Sequence, residues 1–187
     1  PGSPWMMSRF MLATSGRQGL NASKGAARTH QTFPSRPPLP GMDVDVLPTR
    51  EAVPDPPPAA TYVVVDAYRF STSVLTLLAG GAPRVRPATT LAEARADADR
   101  EGWVAGGEPH DEDPAFAVSN SPTRIAETDL DGRAATLYSI NGAQAVDALA
   151  DREVYLGTTL NARALADAVD AERVVVVAVG SDAESSP

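Results

Sequence analysis

From Thr61 onward, short runs of β-branched residues alternate with alanine-rich runs whose apolar positions recur at helical spacing. The first kind reads as buried strands and the second as amphipathic helices, the order of repeated βα units around a parallel sheet. Strands are predicted at Tyr62–Asp66, Arg84–Ala88, Trp103–Ala105, Ala134–Tyr138, Glu153–Leu156 and Arg173–Val179. Helices are predicted at Ser73–Ala79, stopped by Gly80 and Gly81, and at Leu91–Arg100, announced by Thr90 and Glu93 in capping-box spacing. Gly142–Ala150 and Asn161–Asp170 complete the set; in the last, Leu165 and Val169 share the face toward the sheet, while Asp167 and Asp170 face water. The expected class is therefore α/β, a three-layer α/β/α domain with a mostly parallel sheet.

Before Thr61 the pattern fails. Residues 1–41 scatter Gly, Pro, Ser and Arg without periodicity, and Pro34, Pro37, Pro38 and Pro40 oppose regular structure. The segment reads as disordered, either an organellar transit peptide or upstream non-coding sequence translated from a misassigned start, with Met42 as the natural start. Pro54-Asp55-Pro56-Pro57-Pro58 reads as a stiff, extended linker. The expected organisation is a leader and linker over 1–60 and a folded domain over 61–187.

Charge sharpens this division. Five of the 16 basic residues and none of the 24 acidic residues precede Met42, so the remainder is strongly acidic. Lys24 is the only lysine. Such a surface argues against nucleic acid, which is held by clusters of lysine and arginine. No apolar run approaches the roughly 18 residues of a membrane span, the longest being Val174–Val179. A cytoplasmic protein without nucleic-acid or membrane partners is expected, and a homodimer stays open. The absence of cysteine excludes disulfides, thiolate metal sites and cysteine nucleophiles.

In open α/β sheets ligands bind beyond the carboxyl ends of the strands. There the chain offers Asp66, Arg69, Ser71, Thr72 and Ser73; then Gly106, Gly107 and Glu108; then Ser139, Ile140, Asn141 and Gly142; then Gly157, Thr158, Thr159 and Asn161. Hydroxyls, amides and glycines before helix starts suit phosphate oxygens, although each alone is also ordinary capping or turn chemistry. Asp66, ending an apolar run, needs a partner. It could hold a hard cation such as Mg2+ with Glu108 as the second carboxylate, or pair with Arg69 in a structural salt bridge. His110-Asp111-Glu112-Asp113 reads as a solvated turn. Walker, G-x-G-x-x-G, H-E-x-x-H and G-x-S-x-G motifs are absent. Asp43-Val44-Asp45 imitates the start of haloacid-dehalogenase-type phosphatases but follows Pro-Gly-Met, without the expected buried strand.

Taken in order, these blocks resemble the 2-phosphosulfolactate phosphatase family over about residues 62–187. Val63-Val64-Val65-Asp66-Ala67-Tyr68-Arg69-Phe70-Ser71-Thr72-Ser73 resembles its opening strand, Asp, Arg and hydroxyl-rich helix start. Gly106-Gly107-Glu108 is similar to its Gly-Glu-Arg segment, and Asn120-Ser121-Pro122 stands at the expected distance after Phe116. Ser139-Ile140-Asn141-Gly142 looks like its Thr-Thr-Asn-Gly segment, and Leu160-Asn161-Ala162 its later Asn-Ala motif. Pro109 stands where the family has arginine, Tyr68 and Phe70 replace smaller residues, and Ile140 replaces a hydroxyl. The family also carries an acidic pair about where this chain stops at Pro187, so the domain reads as incomplete at its C-terminus.

The resemblance implies Mg2+-dependent hydrolysis of a small anionic phosphate ester, 2-phosphosulfolactate to sulfolactate and phosphate, on the route to coenzyme M. It implies Asp66 and Glu108 as metal ligands, and Arg69, Ser71, Thr72, Asn141 and Asn161 as catalytic groups. Ser73, Gly107, Asn120, Ser139, Gly142 and Thr159 would line the substrate site. The alternatives are a non-catalytic α/β domain binding a small anionic metabolite, and a structural relative with a decayed site.

Overall fold

A computed structural model describes residues 41–108 and 116–179, without the side chain of Arg100. Eight strands run in chain order: β1 (Asp43–Leu47), β2 (Thr61–Val65), β3 (Val85–Ala88), β4 (Val104–Gly107), β5 (Val118–Ser119), β6 (Ala135–Tyr138), β7 (Glu153–Leu156) and β8 (Arg173–Ala178). Among them lie helices α1 (Phe70–Ala79), α2 (Leu91–Glu101), α3 (Pro122–Ala126), α4 (Gly142–Asp147) and α5 (Ala162–Ala168). The class is α/β, and every strand pair among the described residues is parallel.

The strands divide between two four-stranded sheets, β1-β8-β2-β7 and β3-β6-β4-β5. The periodicity carried no information on this division, because buried parallel strands read alike whichever sheet they join. One apolar core spans both sheets: Tyr62, Val64, Val175 and Val177 from the first meet Val104, Ala135 and Leu137 from the second, with Phe70 and Leu77 of α1 between them. The opposite face of the first sheet gathers Val63, Tyr155 and Val174 with Val169, and Leu165 packs against them, as its helical register predicts.

The folded part begins before Thr61, which corrects the leader-and-linker reading for the residues from Asp43 onward. β1 lies within that segment and pairs with β8 from Asp43↔Arg173 to Leu47↔Val177. Its alternation Asp-Val-Asp-Val was a strand pattern hidden by acidic residues, and Asp45 is paired with Arg173 at 2.8 Å. The two aspartates are the first and third residues of the strand and do not lie at the carboxyl end, where strand-terminal chemistry gathers. The proline segment is fastened as well: Arg152 donates to the Pro57 and Pro58 carbonyls, and the Tyr62 hydroxyl donates to Pro58 O at 2.9 Å. Residues 1–40 and the end of the chain from 180 lie outside the described residues.

Local signals placed most helix ends. Thr90 caps α2 by accepting from the Glu93 N–H at 3.2 Å, and Gly102 closes it in the left-handed region at φ 66°. The returning Glu93 carboxylate accepts from Thr89 N–H and Oγ1 instead of from Thr90, a capping box displaced by one residue. α1 starts at Phe70, ahead of the predicted Ser73, and α4 and α5 are shorter than predicted.

Candidate active site

Asp66 follows β2 and continues the inward face of Tyr62 and Val64, so its carboxylate enters the core boundary with only 5% of the residue exposed. Its backbone is fixed by a reciprocal pair: Asp66 N–H donates to Ser71 Oγ at 3.1 Å, and Ser71 N–H donates to Asp66 O at 3.2 Å. Burial raises the Asp66 pKa above its ordinary value of 3.8; a backbone hydrogen bond from Phe70 opposes the rise, the negative charge of Glu108 adds to it, and a bond from Tyr68 opposes it again.

The sequence left Asp66 with two candidate partners, and the structure separates them. Arg69 turns to Glu108, with Nη2 3.6 Å from Oε1, and no ion pair joins Arg69 to Asp66 among the described residues. Glu108 directly follows β4, whose last two glycines allow its neighbours to close in. A Cβ on Gly106 would lie 2.4 Å from Val118 Cγ2, and one on Gly107, at φ 153°, would lie 2.7 Å from Tyr138 O. Glu108 Oε1 also accepts from Asn120 Nδ2 at 2.9 Å, and Asn120 N–H donates to Gly107 O at 3.1 Å.

A third loop arrives from β6. Gly142 opens α4 so near to Asp66 that a Cβ there would stand 2.6 Å from Oδ2 and 2.4 Å from Phe70 Cδ1. Ser139 Oγ accepts from Gly142 N–H at 3.3 Å, and Asn141 makes no side-chain capping bond. Arg50, from the segment read as linker, donates to Ile140 O at 3.4 Å and to Gln144 Oε1 at 3.1 Å, so it fixes this loop. No local sequence signal announced that role, which depends on a contact spanning some ninety residues.

Asp66, Arg69, Glu108, Asn120, Asn141 and Gly142 are thus brought together at the strand ends, with Gly107 shaping the approach. Ser71 and Ser139 are present, with hydroxyls engaged in fixing backbone. Thr72 lies in the first turn of α1, where its carbonyl accepts from Thr76 Oγ1. Asn161 and Thr159 are not brought in. Asn161 Oδ1 accepts from Thr158 N–H at 2.8 Å and its Nδ2 donates to Leu156 O at 2.9 Å, so its amide closes the β7 loop. Thr159 lines an apolar cavity of about 480 Å³ beside Val63, Val65 and Leu165, on the other face of the first sheet. Pro109 and the run His110–Asp113 lie outside the described residues.

Four buried polar atoms of this region have no partner among the described residues: Arg69 Nε, Ser73 Oγ, Ser119 Oγ and Asn120 Oδ1. Leaving such atoms unpaired costs about 1–3 kcal/mol each, so the arrangement is one that a polar ligand or water would complete. The donor set fits a magnesium ion in type and number. The Asp66 and Glu108 carboxylates offer hard oxygens and repel one another, and magnesium would take one or two carboxylates with water and phosphate filling the rest. No group of three or more His, Cys, Asp or Glu residues suited to a metal occurs among the described residues, so an all-protein cage is not what these residues offer. No helix among them is long and apolar enough to cross a membrane.

The family model described as 2-phosphosulpholactate phosphatase matches residues 47–186. The chain is similar to the probable 2-phosphosulfolactate phosphatase of Thermotoga maritima, 28% identical over 128 residues, covering 67% of this chain and 56% of the relative. Similar relatives of the same name occur in Symbiobacterium thermophilum, 36% identical over 109 residues (55% and 46% covered), and Carboxydothermus hydrogenoformans, 33% identical over 129 residues (67% and 53% covered). The chain spans about half the length of the curated relatives it matches.

Proposed function

Because the chain belongs to the 2-phosphosulfolactate phosphatase family, we propose that it hydrolyses a small phosphate monoester with the aid of magnesium. The substrate in its relatives' names, 2-phosphosulfolactate, is the first compound to test, and the route to coenzyme M is the corresponding metabolic setting. The observation that carries the reading is the juxtaposition of a buried, pKa-raised Asp66 with the Arg69–Glu108–Asn120 chain, whose buried polar atoms lack partners.

In this reading Asp66 and Glu108 hold the metal. Magnesium, when bound, neutralises charge on the phosphate and on the departing oxygen. Arg69 binds phosphoryl oxygens through its unpartnered Nε and the guanidinium edge beyond Glu108. The Asn141 amide donates from the β6 loop, and Gly142, lacking a Cβ, lets α4 pack against Phe70 and Asp66. Ser71 and Ser139 hold the two loops in place, Asn120 orients Glu108, and Arg50 steadies Ile140 and Gln144.

The test is phosphate release from 2-phosphosulfolactate and a panel of small phosphate monoesters by the full-length protein, with and without magnesium. Release that depends on magnesium is expected. A folded protein that binds these anions and releases nothing would instead identify a non-catalytic binding domain.

A further inference from the structure

Three ion pairs of this protein differ in how they are held. Arg86 meets Asp97 at 2.9 Å and Arg173 meets Asp45 at 2.8 Å, both at the distance of a charge-assisted hydrogen bond. Arg69 stands farther from Glu108, with Nη2 3.6 Å from Oε1, which is beyond a hydrogen bond. The two side chains are 38% and 34% exposed, so water weakens their attraction further. Glu108 does not depend on Arg69 for its place. Its Oε1 accepts from Asn120 Nδ2 at 2.9 Å, and the Asn120 N–H donates to Gly107 O at 3.1 Å. The carboxylate is anchored and the guanidinium is lightly held, so Arg69 is the partner free to turn away.

The same guanidinium is the group that meets the phosphate, and the two demands oppose one another. A phosphate at Arg69 competes with Glu108 for the guanidinium, and it approaches two carboxylates that already repel each other, Glu108 and Asp66. A cation shared by Asp66 and Glu108 removes both obstacles, because a carboxylate that faces a cation attracts the guanidinium less and repels the phosphate less. We propose that Glu108 gates Arg69: in the cation-free protein it withholds the guanidinium from phosphate, and cation binding releases it, so that the cation enters ahead of the phosphate ester. The gate rests on the magnesium-dependent phosphatase reading and adds an order of binding to it.

The probe is inorganic phosphate, its binding to the full-length protein measured by calorimetry without divalent cation. Glu108→Gln keeps the size of the side chain and an oxygen for Asn120 while removing the charge. It should bind phosphate about fivefold tighter than wild type, the scale of a half-exposed ion pair. Losing any negative charge helps an anion to bind, so the deciding comparison is made on Arg69→Gln, where most of that gain should vanish. A second measurement needs no Glu108 variant: magnesium should strengthen phosphate binding by the wild type, and by a smaller factor in Arg69→Gln. Thermal melts check that each variant is folded. Equal gains with and without Arg69, no gain from Glu108→Gln, or phosphate binding that magnesium does not strengthen overturns the gate. Magnesium-dependent phosphate release without the Arg69-dependent gain sinks this inference alone. The gain and the magnesium effect together, with no release from any ester, sink the phosphatase reading and keep the gate on an anion-binding site.

Discussion

Asp66 is buried at a cost to stability. Its folded-state pKa lies above the ordinary 3.8, so ionisation disfavours the folded form. The corresponding stability is fully present below pH 3.8 and is lost as pH rises through the raised folded value. Asp66→Asn, which cannot ionise, should therefore melt at or above the wild-type temperature at neutral pH without magnesium, and the difference should close in melts run below the ordinary pKa. A variant that melts well below wild type at neutral pH would mean that the carboxylate is a structural partner after all. Gly142 has the opposite character, because it matters for what it lacks. Gly142→Ala would place a methyl against Phe70 and Asp66 Oδ2, and the overpacking should cost about 1–3 kcal/mol in chemical denaturation. The sequence block around Asn141 and Gly142 was legible as a loop before a helix; that Gly142 abuts Asp66 was not, because the two meet only through the packing of α4 on β2.

At the scale of elements, strands with continuous apolar runs and helices with clear caps were readable, and their predicted bounds stand within a few residues. β1, β5 and α3 were not: β1 alternates with aspartate, β5 has two residues, and α3 opens on Pro122 after a short turn. β1 matters most, since it covers the free edge of β8. Removing the segment through Leu47 should lower the melting temperature by about 5 °C or more, and an unchanged melt would show β1 to be dispensable. Asn161 is the converse case, a residue whose type suggested chemistry and whose amide is engaged in closing the β7 loop. Asn161→Ala should cost about 1–2 kcal/mol through two lost backbone bonds, while turnover per folded molecule persists. A selective loss of turnover with stability intact would return Asn161 to the site.

For the whole molecule, the site depends on the two sheets meeting. β2 supplies Asp66 and Arg69 from the first, while β4, β5 and β6 supply Glu108, Asn120, Asn141 and Gly142 from the second. A βα pattern predicts chemistry at strand ends, and on that account most of the site could be read from the chain. It does not reveal which ends face each other, so Thr159 and Asn161, at the end of β7, looked equivalent to residues that lie on the opposite face. The shared core of Tyr62, Phe70, Leu77, Leu137 and Val177 joins the two halves and sets the separation of Asp66 from Glu108. The central claim is that this junction is a phosphoester site, and the most direct measurement is magnesium-dependent phosphate release by the full-length protein and its Asp66→Asn variant under identical conditions. Release by the wild type, with loss of about a hundredfold or more in the folded variant, is the predicted result; equal release by both would remove Asp66, and with it this account of the site.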